Sequence, residues 1–223
     1  MIKKAIVILF TPILVLGCAL NKGGQSQAQL ELGKQMMAGD SLMAPDTALA
    51  IAHFQSAAEG ENPEAQYYLG YYYQHGIGVG KNAVTSLHWY KKSAMSGFPQ
   101  AQNKMGMIYY TGSGADKDYD QALKWFSLCA KQNYSEAQYM LGKIYSAGRG
   151  VEPDTAKAIR WLKKSVSGGH PYPQFLLGKL LYESADTPKE LDAARHWVKL
   201  SADQGVGHAK ELLQKMKNEK NNP

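Results

Sequence analysis

The chain has 223 residues, 44% hydrophobic and 20% charged, with a formal net charge of +6. That composition is apolar enough to fold and argues against disorder. The charge is mild, falling to +4 without Lys3 and Lys4 of the N-terminus, and no basic stripe with stacking platforms accompanies it, so nothing points to nucleic acid as a partner.

In chain order, Met1-Ile2-Lys3-Lys4 is a positive start, and Ala5–Leu16 is an apolar run broken only by Thr11 and Pro12. The run is too short to span a bilayer and has the length of a signal-peptide core. It ends at Val15-Leu16-Gly17-Cys18, which resembles the bacterial lipobox. The resemblance implies a signal peptide over 1–17, cleavage before Cys18, and lipidation (palmitate among the acyl chains) of Cys18. Two or more acyl chains anchor stably, at about 0.8 kcal/mol per buried methylene. The other reading is an ordinary signal peptide with a chance cysteine. Ala19 stands where an Asp retains enteric lipoproteins on the inner membrane, so the expected location is the outer membrane, facing the periplasm. Residues 18–27, ending in Asn-Lys-Gly-Gly-Gln-Ser-Gln, are expected to be the anchor and a flexible linker.

The remainder repeats itself. Ala65-Gln66-Tyr67-Tyr68-Leu69-Gly70 returns as Ala101-Gln102-Asn103-Lys104-Met105-Gly106, as Ala137-Gln138-Tyr139-Met140-Leu141-Gly142 and as Pro173-Gln174-Phe175-Leu176-Leu177-Gly178, in steps of 36 residues. Trp89, Trp125, Trp161 and Trp197 keep the same beat. An earlier copy begins at Ala28 and places His53-Phe54 where Trp89-Tyr90 stand. A period of this length means stacked supersecondary units. Five repeats are expected over 28–208 (28–64, 65–100, 101–136, 137–172 and 173–208), then a capping helix and basic tail over 209–223, its lysine-rich end solvated and fraying.

Within a repeat, Ala65, Leu69 and Tyr72 recur on one face of a helix A over Glu64–His75. Gly70 and its copies are costly inside a helix; close approach of a partner helix explains them. Helix B runs from about Asn82 to Ser96, with Asn82, Asp118 and Asp154 as N-caps, and Asp118 with Gln121 has capping-box spacing. Gly97, Gly169 and Gly205 close helix B, with Asn133 in the same slot. The Trp is expected to be the main buried group of each unit.

These residues, in this order, resemble the Sel-one-like repeat family, relatives of the tetratricopeptide repeat, over about 180 residues. The resemblance implies an all-α fold: a right-handed α-solenoid of five helix-turn-helix repeats with a concave face. It also implies a module that binds proteins. Related lipoproteins are assembly adaptors, or immunity proteins against type VI secretion effectors. The expected partner is therefore a protein, either an envelope-complex subunit or a secreted effector, with the membrane met through Cys18.

Motifs for chemistry fail on inspection. Gly76-Ile77-Gly78-Val79-Gly80-Lys81 lacks the spacing of a phosphate loop and is followed by Asn82. The six histidines show no zinc-ligand spacing, and Gly-x-Ser-x-Gly, Ser-x-x-Lys and Lys-Thr-Gly are missing. No cofactor and no metal are expected. Cysteine-rich relatives of this repeat family are described as penicillin-binding or β-lactamase-like, which leaves an enzyme as the alternative reading. Those relatives carry a disulfide in most repeats. Here Cys129 stands alone once Cys18 is lipidated, and its repeat equivalents are Ser93, Ser165 and Ser201, so it reads as a small buried side chain.

Stepping 100° per residue from the core face of helix A selects the opposite positions: Tyr67, Tyr71 and Gln74; then Asn103, Met107 and Tyr110; then Tyr139, Lys143 and Ser146; then Phe175, Lys179 and Tyr182. These change freely between repeats and form the expected concave, partner-binding face. It is rich in tyrosine and carries lysines toward its C-terminal half, which suits an acidic, partly apolar segment.

Overall fold

The computed structural model describes residues 22–38 and 46–221, with side chains to Glu219. The signal peptide and Cys18 lie outside the described residues. Among those described there are eleven α-helices, and none is long and apolar enough to cross a membrane. They are α1 (Lys22–Ala38), α2 (Thr47–Glu59), α3 (Pro63–His75), α4 (Ala83–Met95), α5 (Pro99–Thr111), α6 (Tyr119–Ala130), α7 (Ser135–Ala147), α8 (Thr155–Ser165), α9 (Pro171–Glu183), α10 (Pro188–Asp203) and α11 (Gly207–Asn221). Odd-numbered helices are A helices and even-numbered ones B helices; α11 is an A helix with no B helix after it among the described residues.

The chain divides into two compact units, one ending at Phe98 and the other beginning at Pro99. In the first, α1 packs on α2, α2 on α3 and α3 on α4. In the second, α5 packs on α6, α6 on α7, and so on in succession to α11. Within each unit, successive helices thus pack both within a pair and against the neighbouring pair, and their apolar side chains form small cores. Leu30, Phe54 and Leu69 centre one of them, and Phe126, Leu141 and Ile144 another.

The local signals act as expected. Asn82, Asp118 and Asp154 cap α4, α6 and α8, accepting from the amides of Thr85 (3.0 Å), Gln121 (2.9 Å) and Lys157 (2.7 Å). After the B helices, Gly97, Asn133, Gly169 and Gly205 all have positive φ, with Asn133 at 62°. Asparagine tolerates that conformation better than most residues. A complete capping box stands at α10, where Thr187 and Glu190 bond reciprocally.

Three expectations need correction. The stretch Lys22–Gln27 is not a flexible tether: it is the first turn and a half of α1, with Ser26 buried. Asn62 Nδ2 donates to Gln27 Oε1 at 3.1 Å, and docking of this kind overrides the poor helix propensity of Gly23-Gly24. The stretch Lys210–Met216 is not a fraying end, since it lies within α11 and Met216 is buried. The tryptophans are not the main buried groups. Trp125 is 8% exposed, but Trp89, Trp161 and Trp197 are only half-buried, whereas the next residue in each repeat (Tyr90, Phe126, Leu162, Val198) is fully buried.

Candidate interaction face of the A helices

The position of that next residue explains the glycines. A Cβ on Gly70 would lie 2.7 Å from the Tyr90 ring, on Gly106 2.6 Å from Phe126, on Gly142 2.6 Å from Leu162 and on Gly178 2.7 Å from Val198. Helix A therefore touches helix B through its own backbone. A second lock lies on helix B, where Ser93 Oγ donates to the carbonyl of Pro63 (2.5 Å) and Ser201 Oγ to that of Pro171 (2.8 Å). Cys129 fills the same slot, with its sulfur 3.1 Å from the Pro99 carbonyl. Burial pushes its thiol up to about 12, which suits a structural cysteine and not a nucleophile. The third lock is the buried glutamine of the landmark. Gln66 Nε2 donates to the Ala58 carbonyl (3.2 Å) and Gln138 Nε2 to that of Ala130 (3.3 Å), tying each A helix to the end of the preceding B helix. Its recurrence at 36-residue spacing was the signal for this role.

With the locks assigned, the remaining face can be read. In the first unit Tyr67 is half-buried against the rings of Tyr90 and Phe98, at 5.5 Å each. Burial first, then its tyrosine neighbours, push its phenol upward. Gln74 accepts from Tyr90 Oη at 2.9 Å. Tyr71 is 40% exposed beside His75.

In the second unit Met107, Tyr139, Lys143, Ser146, Phe175 and Tyr182 are half-buried, and Lys179 is exposed. Asn103 is half-buried, and its Oδ1, shielded from solvent, accepts no hydrogen bond among the described residues. Lys143 sits over the Tyr139 ring at 5.6 Å, and Lys179 pairs with Glu183 at 3.7 Å. Tyr182 donates to Glu219 of α11, with Lys215 over its ring at 5.6 Å. Tyr110 departs from expectation. It is 8% exposed and belongs to the core around Phe126, because the last turn of α5 is covered by Tyr119 and by Arg149, which donates to its hydroxyl. Arg149 and the 62% exposed Tyr172 are the residues that the sequence reasoning missed on this side. The charge of Arg149, unique among the residues between the paired glycines, was its only signal.

An open cavity of about 420 Å³ lies between the starts of α9 and α11 and is lined by Tyr172, Gln204 and His208 among others. No cluster of three potential metal ligands occurs among the described residues. The arrangement is one of side chains presented by helix pairs in close backbone contact.

Comparison with known proteins decides the family. The Sel1 repeat model matches residues 26–62, 63–98, 99–134, 135–170 and 174–206. The chain belongs to the Sel1 repeat family. Its all-α solenoid of five Sel1 repeats is the architecture that the resemblance implied, and Sel1 repeats are protein-interaction scaffolds. A protective antigen of uropathogenic Escherichia coli with this fold is 34% identical, covering 85% of this chain and 41% of that one, with a TM-score of 0.78. A Sel1 repeat protein of Oxalobacter formigenes is 30% identical over 82% of this chain and 75% of its own, with a TM-score of 0.72. A Sel1 repeat protein of Klebsiella pneumoniae, 18% identical over 88% of this chain and 95% of its own at a TM-score of 0.51, shares the fold. The Sel1 chain thus spans about two fifths of the length of the uropathogenic antigen. No functionally curated protein matches it.

Proposed function

We propose that this Sel1 repeat protein is a lipid-anchored binding module of the bacterial envelope, holding a protein partner on the A-helix face expected to be concave. The observation that carries the reading is the division of labour within the repeats. The positions that lock backbone to backbone recur, while one slot in successive repeats passes from Tyr71 to Met107 and then to Lys143 and Lys179 and keeps surface to offer. Exposed Tyr71 and Tyr172 fit the aromatic enrichment of interfaces. The location rests on Gly17-Cys18 after a short apolar run. Similarity to a protective antigen is in keeping with an exported protein. The partner is a subunit of an envelope complex, which makes the module an adaptor, or a secreted effector, which makes it an immunity protein.

Affinity capture from intact envelopes tests the face. Changing Tyr71, Met107 and Lys143 together to Ala is expected to weaken capture by tenfold or more, about 1.4 kcal/mol, with the helical circular dichroism unchanged. Capture that persists in the folded triple variant and is lost on altering the B helices would move the site. Cys18→Ser is expected to abolish palmitate incorporation and release the protein from membranes; unchanged fractionation and labelling would remove the anchor from the proposal.

A further inference from the structure

We infer that Lys143 and Arg149, above the rings of Tyr139 and Tyr110, form a subsite that reads the carboxylates of an acidic protein segment. The inference rests on the protein-binding reading above and adds the chemistry of the partner.

The register of the repeats shows what is missing there. The residue after the helix-A glycine is Lys34, Tyr71, Met107, Lys143 and Lys179 in turn, and the residue just before the opening Ala or Pro of the following A helix is Glu64, Gln100, Glu136, Tyr172 and His208. Where the first pair is seen, Lys34 Nζ meets Glu64 at 2.9 Å. This slot of one A helix therefore faces the start of the next. For Lys143 the residue opposite is Tyr172, which brings no charge, and the Tyr139 phenol beneath Lys143 feels Tyr172 as a neighbour. Nor does α7 supply a carboxylate. Lys179, the copy of Lys143, has Glu183 one turn on at 3.7 Å, whereas Lys143 has Ala147 in that place.

Arg149 adds a second uncompensated cation. The residue between the paired glycines is Ile77 and Ser113 in the preceding repeats. The guanidinium lies 5.2 Å from the Tyr110 ring and donates once, to the Tyr110 hydroxyl. Of its five N–H donors, the rest meet no acceptor among the described residues. Tyr139 packs against the same core cluster as Tyr110. An ammonium over the Tyr139 ring and a guanidinium over the Tyr110 ring, neither meeting a carboxylate among the described residues, thus stand over two tyrosines of one core cluster. A guanidinium held by stacking is pre-organised for a planar carboxylate, and phenol rings suit the aliphatic stem of a Glu or Asp. Charge and shape select an acidic segment.

The test selects binders from a random twelve-residue peptide library displayed on phage, against the full chain and against Lys143→Gln/Arg149→Gln. Both side chains are at the surface, so the helical circular dichroism of the variant should match. Wild type is expected to enrich Asp and Glu well above the unselected library, and the variant to lose that enrichment. The tightest synthetic peptide should lose at least tenfold in affinity for wild type when its Glu residues become Gln, and nothing for the variant. Equal acidic enrichment on both proteins overturns the subsite. Selected peptides without acidic enrichment overturn it and leave the face a protein-binding one. Selection of no peptide, with no partner captured from envelopes, overturns both readings. Binding of phosphatidylglycerol vesicles that depends on Lys143 and Arg149, without acidic peptides, would assign the patch to a lipid surface and refute the inference.

Discussion

Repeats two and four share a frame and part company on the face it carries. In repeat two, Gly70 admits the Tyr90 ring, whose hydroxyl crosses to Gln74, and Tyr67 leans on Tyr90 and Phe98. The aromatic side chains complete one another. In repeat four, Gly142 admits the shorter Leu162, which reaches nothing beyond the core, and Ser146 Oγ turns back to the Lys143 carbonyl at 3.1 Å. Tyr139 is left with a lysine over its ring in place of aromatic partners. Three positions change together between the two repeats, Tyr90 to Leu162, Phe98 to His170 and Gln74 to Ser146, and with them the far side of helix A passes from aromatic partners to a lysine.

The largest test of this frame removes the buried ring. Phe126→Ala is expected to cost about 3–5 kcal/mol, because Phe126 fills the space against Gly106. Trp161→Ala, at a half-buried site, should cost about half as much. Urea unfolding of the two variants checks the order, and a greater loss at Trp161 would restore the tryptophan as the main buried group.

The reverse perturbation is smaller. Gly106→Ala places a Cβ 2.6 Å from the Phe126 ring, and overpacking of this kind costs about 1–3 kcal/mol. In a double variant, Gly106→Ala with Phe126→Ala, the ring that the new Cβ meets is gone, so the two losses should sum to less than their separate values. Additive losses in the double variant would show that the two residues do not share one contact.

Much of this was legible in the sequence because the repeat supplies internal copies. Gly70 recurs where only a packing reason explains it, and Asn133 stands in a glycine slot and takes the left-handed conformation found in its copies. What escaped had no local signature. Trp89 and Tyr90 are adjacent and 100° apart on the helix, so either could have led into the core; the clearance over Gly70 decides it. Tyr110 lies on the side predicted to be open, but Arg149, 39 residues away, covers it. The helical start at Lys22 depends on contacts with Asn62 and Gly60 that no propensity scale contains. The face residues could be located by helical stepping, yet their pairing could not, because it depends on neighbours one repeat away.

A gain of stability tests the glutamine lock. Gln132 Nε2 donates to Gln102 Oε1 at 2.9 Å and Gln204 Nε2 to Gln174 Oε1 at 2.8 Å. In repeat two the equivalent donor is Ser96, too short to reach, and the buried Gln66 Oε1 accepts no hydrogen bond among the described residues. Ser96→Gln supplies the donor that its copies possess. The expected gain is about 1 kcal/mol, read as a raised denaturation midpoint with an unchanged urea dependence. A neutral result would mean that Gln66 Oε1 is already satisfied by solvent.

The smallest effect concerns repeat five, whose A helix ends at Ser184 where other repeats have a glycine. Its B helix relies instead on the capping box at Thr187. The Glu190 carboxyl is held below its ordinary value, first by the Thr187 hydroxyl at 2.9 Å and then by the backbone amides of Asp186 and Thr187 at 3.0 Å each. A carboxylate depressed in the folded state stabilises above its unfolded value, near pH 4.5, and loses that contribution as pH falls through the folded value. Glu190→Gln keeps an acceptor at the same place and removes the titration. Wild type should therefore exceed Glu190→Gln in stability at pH 7, and the gap should close in urea titrations below pH 4.5. A gap that stays constant between pH 7 and pH 3 would show that the box acts through its hydrogen bonds alone, without the charge.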